Sequence, residues 1–222
     1  MKLIDIVSFI THPLFFLRNN PRVALSSFRG VKGNAIKCHS AIVKKSEIRF
    51  AGRDNTLEIN GCHLYNCNIF LRGDGHSLIV DHDVQLFNVR IKIIGKGNTV
   101  HIKKNTTIGG GNIICGGIGN PVNIGENCVI AEGVDIWSTD THSVFQNESV
   151  VNAPQPINIG NHVWLGKDVA ILKGVNIGDN AIVGIRSVVT HDIEAGTLNA
   201  GSPTKKLKDD VSWSIRNPNN QQ

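Results

Sequence analysis

Aliphatic residues recur every six positions in the second half of this 222-residue chain. The series keeps one register over six members, and small or branched residues stand four positions after most of them. A period of six does not fit an α-helix, whose turn of about 3.6 residues would spread these side chains around its whole surface. It predicts short strands joined by turns, stacked as coils of a β-solenoid that buries one aliphatic column. The six aliphatics are Ile159, Leu165, Ile171, Ile177, Val183 and Val189.

The same step continues more loosely towards the N-terminus. Ile124, Ile130 and Ile136 keep it, whereas between residues 36 and 114 it survives in short runs separated by stretches such as 73–76. These stretches predict irregular coils of the same solenoid with longer corners. Glycine follows four of the six aliphatics of the regular series, and we expect glycine or asparagine to adopt the positive φ that tight corners require.

The period divides the chain into three parts. Residues 1–30 lack it and predict an N-terminal cap, residues 31–203 predict the all-β solenoid domain, and residues 204–222 predict a C-terminal segment with a short closing helix. The period is interrupted at residues 137–156, which we therefore expect to protrude as a loop. Loops on rigid scaffolds often carry function.

Composition narrows the class of protein further. A hydrophobic content of 41% with only 5% aromatic residues fits one globular domain with an interior of branched aliphatic side chains. The net charge of +5 includes short, separated lysine clusters without an aromatic stacking platform, which argues against nucleic-acid binding. Five cysteines without a CxxC pair indicate neither a disulfide framework nor a zinc ribbon, and they favour a reducing cytoplasm.

The first residues of the chain are apolar but interrupted. The run over residues 3–17 is broken by a charged residue, a histidine and a proline, and it is too short for a transmembrane span. Two interpretations stay open for this run: a helix packed against the end of the solenoid, or a segment that lies close to a membrane surface.

The interrupting loop places a histidine near a carboxylate. It contains His142, with Asp140 two residues before it and Glu148 six residues after it. An imidazole titrates near neutral pH, so a histidine oriented by a carboxylate is suited to take the proton of a hydroxyl group. Two interpretations of His142 stay open at this point: a general base, which Asp140, ahead of Glu148, would orient, or a solvated histidine of a polar loop.

Residues 122–208 resemble the hexapeptide-repeat acyltransferases. The resemblance rests on IGENCVIAEGVDIW, the histidine-bearing loop, INIGNHVWLGKDVAILKGVNIGDNAIVG, SVVTHDI and AGSPTKK, in this order. It is specific to the branch with galactoside, maltose and nodulation-factor acetyltransferases and bacterial polysaccharide O-acetyltransferases. It implies a left-handed parallel β-helix, a homotrimer with its sites between subunits, and acetyl-CoA as co-substrate without a metal.

The resemblance also implies roles for individual residues. His142 falls on the catalytic histidine of the family, and the backbone N–H of Lys167 falls where the family binds the thioester oxygen. Trp164 would line the acceptor entrance or pack against a neighbouring subunit, and Asn112 would bind the acceptor or merely form a turn. The segments that would meet the cofactor contain Gly166, Lys167, Gly184, Ser187, Pro203, Lys205 and Lys206.

The chain departs from the family pattern in one place. Ile185 and Arg186 follow Gly184, where the family usually has small residues, and this puts the path of the cofactor in question. For Lys206 a solvated surface position explains the charge as well as a phosphate contact does.

The predicted function is transfer of an acetyl group from acetyl-CoA to a sugar hydroxyl. The preferred acceptor is a bacterial surface polysaccharide, such as a capsule, an O-antigen or a sialic-acid-containing glycan, or its precursor. N-acetylation of an amino sugar nucleotide and a non-catalytic β-solenoid binding protein are the alternatives. A zinc hydratase is a further alternative, but the spacing of the histidines does not favour its three-histidine site.

Overall fold

The computed structural model describes residues 25–215 of the chain, and every regular element among them is a β-strand. Three sheets, called sheets A, B and C here, form the three sides of one solenoid, and their strands are parallel except for the last strand of sheet C. This arrangement confirms the all-β fold and the stacked coils that the six-residue period predicts. It is consistent with the left-handed β-helix that the resemblance implies.

Sheets A and B consist of parallel strands that follow one another from coil to coil. Sheet A contains β1 (Ser27–Arg29), β4 (Glu47–Ala51), β7 (Asn68–Asp74), β10 (Val89–Lys96), β13 (Gly111–Ile118), β16 (Val134–Trp137), β21 (Ala170–Leu172) and β24 (Val188–Val189). Sheet B contains β2 (Ala35–His39), β5 (Thr56–Asn60), β8 (Ser77–Val80), β11 (Thr99–Ile102), β14 (Pro121–Ile124), β19 (Ile157–Ile159) and β22 (Asn176–Ile177).

Sheet C forms the third side, and a two-stranded hairpin stands outside the solenoid. Sheet C contains β3 (Ile42–Lys44), β6 (His63–Tyr65), β9 (Gln85–Phe87), β12 (Thr107–Ile108), β15 (Val129–Ile130), β20 (Trp164–Leu165), β23 (Ile182–Val183), β25 (Leu198–Ala200) and β26 (Lys205–Lys208). The hairpin consists of β17 (Phe145–Gln146) and β18 (Ser149–Val150).

Equivalent residues of successive coils lie above one another in the core. Ile136 pairs with Ile171 across β16 and β21, and Ile171 pairs with Val189 across β21 and β24. All members of the six-residue series are buried, with at most 3% of each side chain exposed. Burial of one such side chain contributes about 1.5–3 kcal/mol. The period in the sequence is therefore the aliphatic column of the solenoid.

The N-terminal coils are longer than the C-terminal ones. Ile69, Ile91 and Ile113 stack at intervals of 22 residues, whereas Ile171 and Val189 stack at an interval of 18. The extra residues lie at the corner between sheets A and B, where β7, β10 and β13 are seven or eight residues long. This confirms the predicted irregular coils with longer corners.

A column of buried polar side chains fills these longer corners. Asn55 Oδ1 accepts a hydrogen bond from the His76 N–H at 2.9 Å, and His76 Nδ1 accepts one from the Asn98 N–H at 3.1 Å. Asn98 Oδ1 accepts one from the Asn120 N–H at 2.8 Å, and Asn120 Nδ2 donates to Ser138 Oγ at 3.2 Å. Buried polar groups are costly unless they are hydrogen-bonded, so this column stabilises corners that apolar side chains do not fill.

The expectation that glycine or asparagine supplies the positive φ of the regular corners is confirmed only in part. The glycines at 133 and 174 adopt it, but the glycines that follow the buried aliphatics do not, and positive φ falls two residues after them. Those glycines serve close approach, because a Cβ on Gly125 would lie 2.2 Å from the carbonyl oxygen of Gly160 in the next coil. The non-glycine residues with positive φ at these corners are Asn127, His162, Asp168, Asn180 and Arg186, two of which are asparagine.

Both ends of the solenoid differ from the sequence-based expectation. β1 begins at Ser27, so the first coil starts inside the predicted cap of residues 1–30, most of which lies outside the described residues. The predicted C-terminal helix is wrong, because residues 205–208 form β26 and residues 211–215 form no helix. β26 pairs antiparallel with β25, the last parallel strand of sheet C, whose open edge would otherwise leave backbone groups unpaired.

Among residues 25–215, no helix is long and apolar enough to cross a membrane. The apolar run over residues 3–17 lies outside the described residues.

Replacing Asn98 by alanine should lower the free energy of unfolding by about 3 kcal/mol, because the Asn120 N–H and two backbone carbonyls lose their partners in a buried corner. Urea unfolding of the variant and the unmodified protein measures this difference. Asn123→Ala is the matched control, since that half-buried amide makes a single hydrogen bond, to Asn158 on the outer face. Equal losses in the two variants would contradict the role given to the buried column.

Candidate active site

The loop at residues 138–156 leaves the solenoid between sheets A and B, after β16 and before β19. Its two ends are held together, because the Gln155 N–H donates to the Ser138 carbonyl at 3.0 Å. The Ser138 N–H also donates to the Ile114 carbonyl of the preceding coil at 3.0 Å. The root of the loop is thus fixed to the solenoid, while residues 140–151 are exposed.

The loop lies over two glycines of the preceding coil. A Cβ on Gly116 would come within 2.6 Å of Thr139 Cγ2, and a Cβ on Gly117 within 2.9 Å of Pro154 Cβ. The Gly116 N–H donates to Ser138 Oγ at 3.1 Å. These glycines therefore allow both arms of the loop to contact the backbone of β13.

His142 lies on the exposed part of the loop. Its Nδ1 is 3.1 Å from Oγ1 of Thr141, a residue with a φ of 61°. When the Thr141 oxygen accepts this hydrogen bond, the proton of the neutral imidazole is on Nδ1 and the Nε2 lone pair is available. This tautomer is the one that a general base acting through Nε2 requires.

Asp140 contacts groups other than the imidazole in this structure. Its Oδ2 accepts hydrogen bonds from the Lys173 ammonium and from Asn152 Nδ2, the latter at 2.7 Å. The hydrogen bond from Lys173, followed by that from Asn152, lowers the pKa of the Asp140 carboxyl group. Asn152 Nδ2 also donates to the His142 carbonyl at 2.8 Å, and Asn152 Oδ1 accepts from the Val144 N–H at 2.7 Å. Asp140 is therefore linked to His142 only indirectly, because Asn152 donates hydrogen bonds both to the Asp140 carboxylate and to the backbone carbonyl of His142.

Asn152 and Lys173 were not candidates from the sequence. Asn152 follows His142 by ten residues in a polar loop, and Lys173 stands in a corner of the next coil, 33 residues after Asp140. Only the way in which the loop folds back onto sheet A brings them together. Glu148, the alternative orienting residue, lies at the exposed turn between β17 and β18.

The residues expected to bind the thioester stack at the corner between sheets C and A. A Cβ on Gly166 would lie 3.0 Å from the carbonyl carbon of Gly184 in the next coil. Lys167 and Ile185 follow these glycines and are exposed. Within residues 25–215, the backbone N–H of Lys167 donates no hydrogen bond, and the Lys167 ammonium pairs with Glu132. The hydrogen bond to Glu132 raises the pKa of the Lys167 ammonium.

The residues expected to meet the nucleotide of the cofactor lie around the last turn of the solenoid. Pro203 and Lys205 are exposed, whereas Ser187 is fully buried and its Oγ accepts from the Gly201 N–H at 3.0 Å. Ser187 thus supports the turn from inside, and its hydroxyl does not reach the surface. Lys206 forms ion pairs of 2.9 Å with Glu194 and Asp209, which raise its pKa.

Trp164 lies on a different side of the solenoid from the loop, whereas Asn112 lies on β13 of sheet A, the strand that the root of the loop contacts. Trp164 is 42% exposed on sheet C, and its ring centroid is 6.2 Å from that of Trp213. Trp213 in turn stacks on His162 with centroids 4.2 Å apart. Asn112 lies on the outer face of sheet A and donates to Asp135 Oδ1 at 2.7 Å. Because Trp164 and the loop belong to different sides of the solenoid, an interface between subunits would be needed to bring them together.

The part of the chain that the structure describes contains neither a cluster of metal-binding side chains nor an exposed reactive thiol. No group of three or more histidine, cysteine, aspartate and glutamate side chains there is placed to hold a metal ion. The cysteines are free thiols, and four of the five are buried. Burial raises the pKa of the Cys115 thiol to about 11, which keeps it protonated and unreactive.

Comparisons with known proteins agree with this architecture. The galactoside O-acetyltransferase of Escherichia coli (strain K12) is 46% identical over 54 residues, which are 24% of this chain and 27% of that relative. The solved structure of the polysialic acid O-acetyltransferase OatWY is 30% identical with a TM-score of 0.81, covering 88% of this chain and 93% of that one. This chain belongs to the hexapeptide-repeat acetyltransferase family.

A second solved structure of this kind is that of the polySia specific acetyltransferase NeuO. It is 28% identical to this hexapeptide-repeat acetyltransferase with a TM-score of 0.77, and the match covers 90% of this chain and 91% of that one. The chain spans about a quarter of the length of the curated relatives that it matches. No protein-family profile matches it.

Asn152→Ala should loosen the histidine loop of this hexapeptide-repeat acetyltransferase without unfolding the solenoid. The Val144 N–H and the His142 carbonyl lose their partners, so we expect amide hydrogen exchange at Val144 to accelerate at least about tenfold. Mass spectrometry of peptides covering residues 139–151 measures the exchange. Asn147→Gly is the matched control at the turn between β17 and β18, where a glycine accepts the φ of 49°. Unchanged exchange in Asn152→Ala would contradict the anchoring role.

Proposed function

We propose that this hexapeptide-repeat acetyltransferase transfers the acetyl group of acetyl-CoA to a hydroxyl of a bacterial surface polysaccharide or its precursor. The observation that carries the proposal is an exposed imidazole on a loop that the solenoid anchors at both ends. The similarity to two polysialic acid acetyltransferases over about nine-tenths of the chain supports a sialic-acid-type glycan as the acceptor.

The proposed chemistry is a direct transfer between two bound substrates. His142 Nε2 takes the proton of the acceptor hydroxyl while the hydroxyl oxygen attacks the thioester carbonyl carbon. The new C–O bond replaces the C–S bond, and the thiolate of CoA leaves and takes the proton from the imidazolium. General-base assistance of this kind is worth about 10²- to 10⁴-fold in rate. No covalent intermediate with the protein is needed.

Two other groups complete the proposed site. The Lys167 backbone N–H stabilises the oxyanion that develops on the thioester carbonyl, because it donates no other hydrogen bond among the described residues. Asp140 and Asn152 act as positioning residues, since their hydrogen bonds hold the backbone at His142. The hydrogen bond from the Lys173 ammonium, followed by that from Asn152, lowers the pKa of the Asp140 carboxyl group and so favours its ionised form.

The proposed assembly is a homotrimer with the acetyl-CoA site between subunits. The hairpin supports an interface, because apolar side chains at 144, 145, 150 and 151 are each at least half exposed in the single chain. The stacked corners at Gly166 and Gly184 and the exposed Lys205 would bind the cofactor, with the lysine against its phosphates. An acetyl-CoA co-substrate and unpaired thiols fit a cytoplasmic location.

His142→Ala should lower kcat by at least about a hundredfold, because the acceptor hydroxyl loses its base. The affinity for acetyl-CoA, measured by titration calorimetry, should stay the same. Release of free CoA in the presence of oligosialic acid, followed with a thiol reagent, measures kcat.

His191→Ala is the matched control for this prediction. His191 is also exposed and also lies beside a threonine, with Nδ1 3.3 Å from Thr190 Oγ1, but it lies on the solenoid outside the loop. We expect it to keep the activity of the unmodified protein. Equal activity in the two variants would remove His142 as the base, and absence of acetyl-CoA binding in the unmodified protein would contradict the proposed function itself.

A further inference from the structure

A groove of about 400 Å³ opens beside the root of the histidine loop. Its floor is the outer face of sheet A at the long corners of β7, β10 and β13, and its wall is the start of the loop. Thr141, whose hydroxyl contacts the imidazole of His142, is part of this wall. Six of the residues that line the groove are Arg72, Lys92, Ile94, Ile118, Thr139 and Thr141.

The groove carries two positive charges and no carboxylate. Arg72 and Lys92 are its only charged lining residues, and neither forms an ion pair with any residue in the range 25–215. In the same part of the molecule, Arg29 pairs with Glu47, and Lys173 pairs with Asp140. Among the described residues, Arg49 and Arg90 on the same face of sheet A form no ion pair either, so the groove belongs to a face with several cations that lack a counter-charge.

The register of sheet A places these two cations close together. Lys92 lies directly opposite Phe70, and Arg72, two residues further along β7, lies opposite Ile94. Arg72 and Lys92 are therefore diagonal neighbours on one face, at a Cα separation of about 7–8 Å. Two like charges at this spacing repel each other, and one bound carboxylate offsets the repulsion by accepting hydrogen bonds from both.

The rest of the lining suits a sugar ring. Ile94 and the 85% exposed Ile118 provide an apolar floor, while glycines at 95 and 117 keep that floor open. Thr139 and Thr141 line the groove on the side of the loop, where Thr139 Oγ1 accepts a hydrogen bond from the Thr141 N–H at 3.1 Å. An apolar floor with a few convergent polar groups is typical of sites for small ligands.

The positive surface continues along sheet A, away from the loop. Arg49, Phe70 and Lys92 occupy directly opposed positions on three successive strands, and the Arg49 guanidinium lies 5.1 Å from the centroid of the Phe70 ring. Successive strands are about 4.8 Å apart, so this row spans about 10 Å from Lys92 to Arg49. A second carboxylate of a polymer has a cation within reach there.

We infer that this groove is an acceptor subsite for a carboxylate-bearing sugar, with Arg72 and Lys92 binding the carboxylate and thereby selecting a polyanionic glycan. The inference rests on the proposed function and deepens it. The carboxylate is held at the groove while a hydroxyl of the same or the adjoining sugar reaches the loop. No covalent bond forms or breaks at this subsite. Its residues therefore affect the binding of the acceptor and do not affect the binding of acetyl-CoA.

The test compares glycan binding and turnover by the variant with both Arg72→Ala and Lys92→Met. The probes are oligosialic acid, polygalacturonate and the neutral polymer dextran, each titrated directly by calorimetry and offered as acceptor. We expect the double variant to bind the two anionic probes at least about a hundredfold more weakly, because each charged hydrogen bond is worth about ten- to a hundredfold. Its affinity for acetyl-CoA should be unchanged.

Arg90→Ala is the control for the loss of a positive charge on the same face of sheet A but outside the groove. Arg90 is exposed on β10, two residues before Lys92, and it does not line the groove. It should bind the anionic probes within about threefold of the unmodified protein, since a charge outside the subsite contributes only weak, screened attraction. Thermal unfolding of all variants checks that each is folded.

Three results would overturn the inference. The first is that the unmodified protein binds neither anionic probe, and the second is that it binds dextran equally well. The third is that Arg90→Ala weakens binding as much as the double variant does. In each case, retained acetyl-CoA binding and His142-dependent acetylation of any acceptor leave the proposed transferase function standing. Loss of both would instead contradict that function.

Discussion

Parallel hydrogen bonding between successive coils is the constraint on which the rest of this structure depends. It pairs Ile136 with Ile171 and Ile171 with Val189, so a side chain that faces inward in one coil faces inward in the next. A shift of one residue would turn the aliphatic column towards solvent. The same register brings the corner glycines so close to the following coil that only a residue without a Cβ fits.

The buried polar column connects the regular coils to the loop that carries His142. It runs through the corners between sheets A and B and ends on Ser138, where the chain leaves the solenoid. The long corners that it stabilises also extend β7, β10 and β13 and so provide the surface on which the loop and the groove lie. One hydrogen-bonded column therefore connects the corners of the N-terminal coils to the root of the loop that carries His142.

The aliphatic interior explains why the candidate site lies outside the solenoid. A column of fully buried isoleucine, leucine and valine leaves no room for a ligand along the axis. Substrates must therefore bind on the outer faces, at the protruding loop or at the contacts between subunits that we propose. Within this arrangement, we propose that His142 supplies the base, that Asn152 holds its backbone, and that Arg72 with Lys92 provides the charge for an anionic acceptor.

The sequence by itself determined the fold class, the longer corners and His142 as the candidate base. The fold class and the longer corners rest on a six-residue period and its interruptions, which can be recognised without coordinates. The choice of His142 rests on its place in the interrupting loop together with the resemblance to the family's motifs. The contacts of Asp140 with Lys173 and Asn152 were decided only by the tertiary structure, because they join residues 33 and 12 positions apart through the folding of the loop. The charged run at residues 205–208 became a strand for the same kind of reason, since the open edge of sheet C, and not its own pattern, supplies its hydrogen-bond partners.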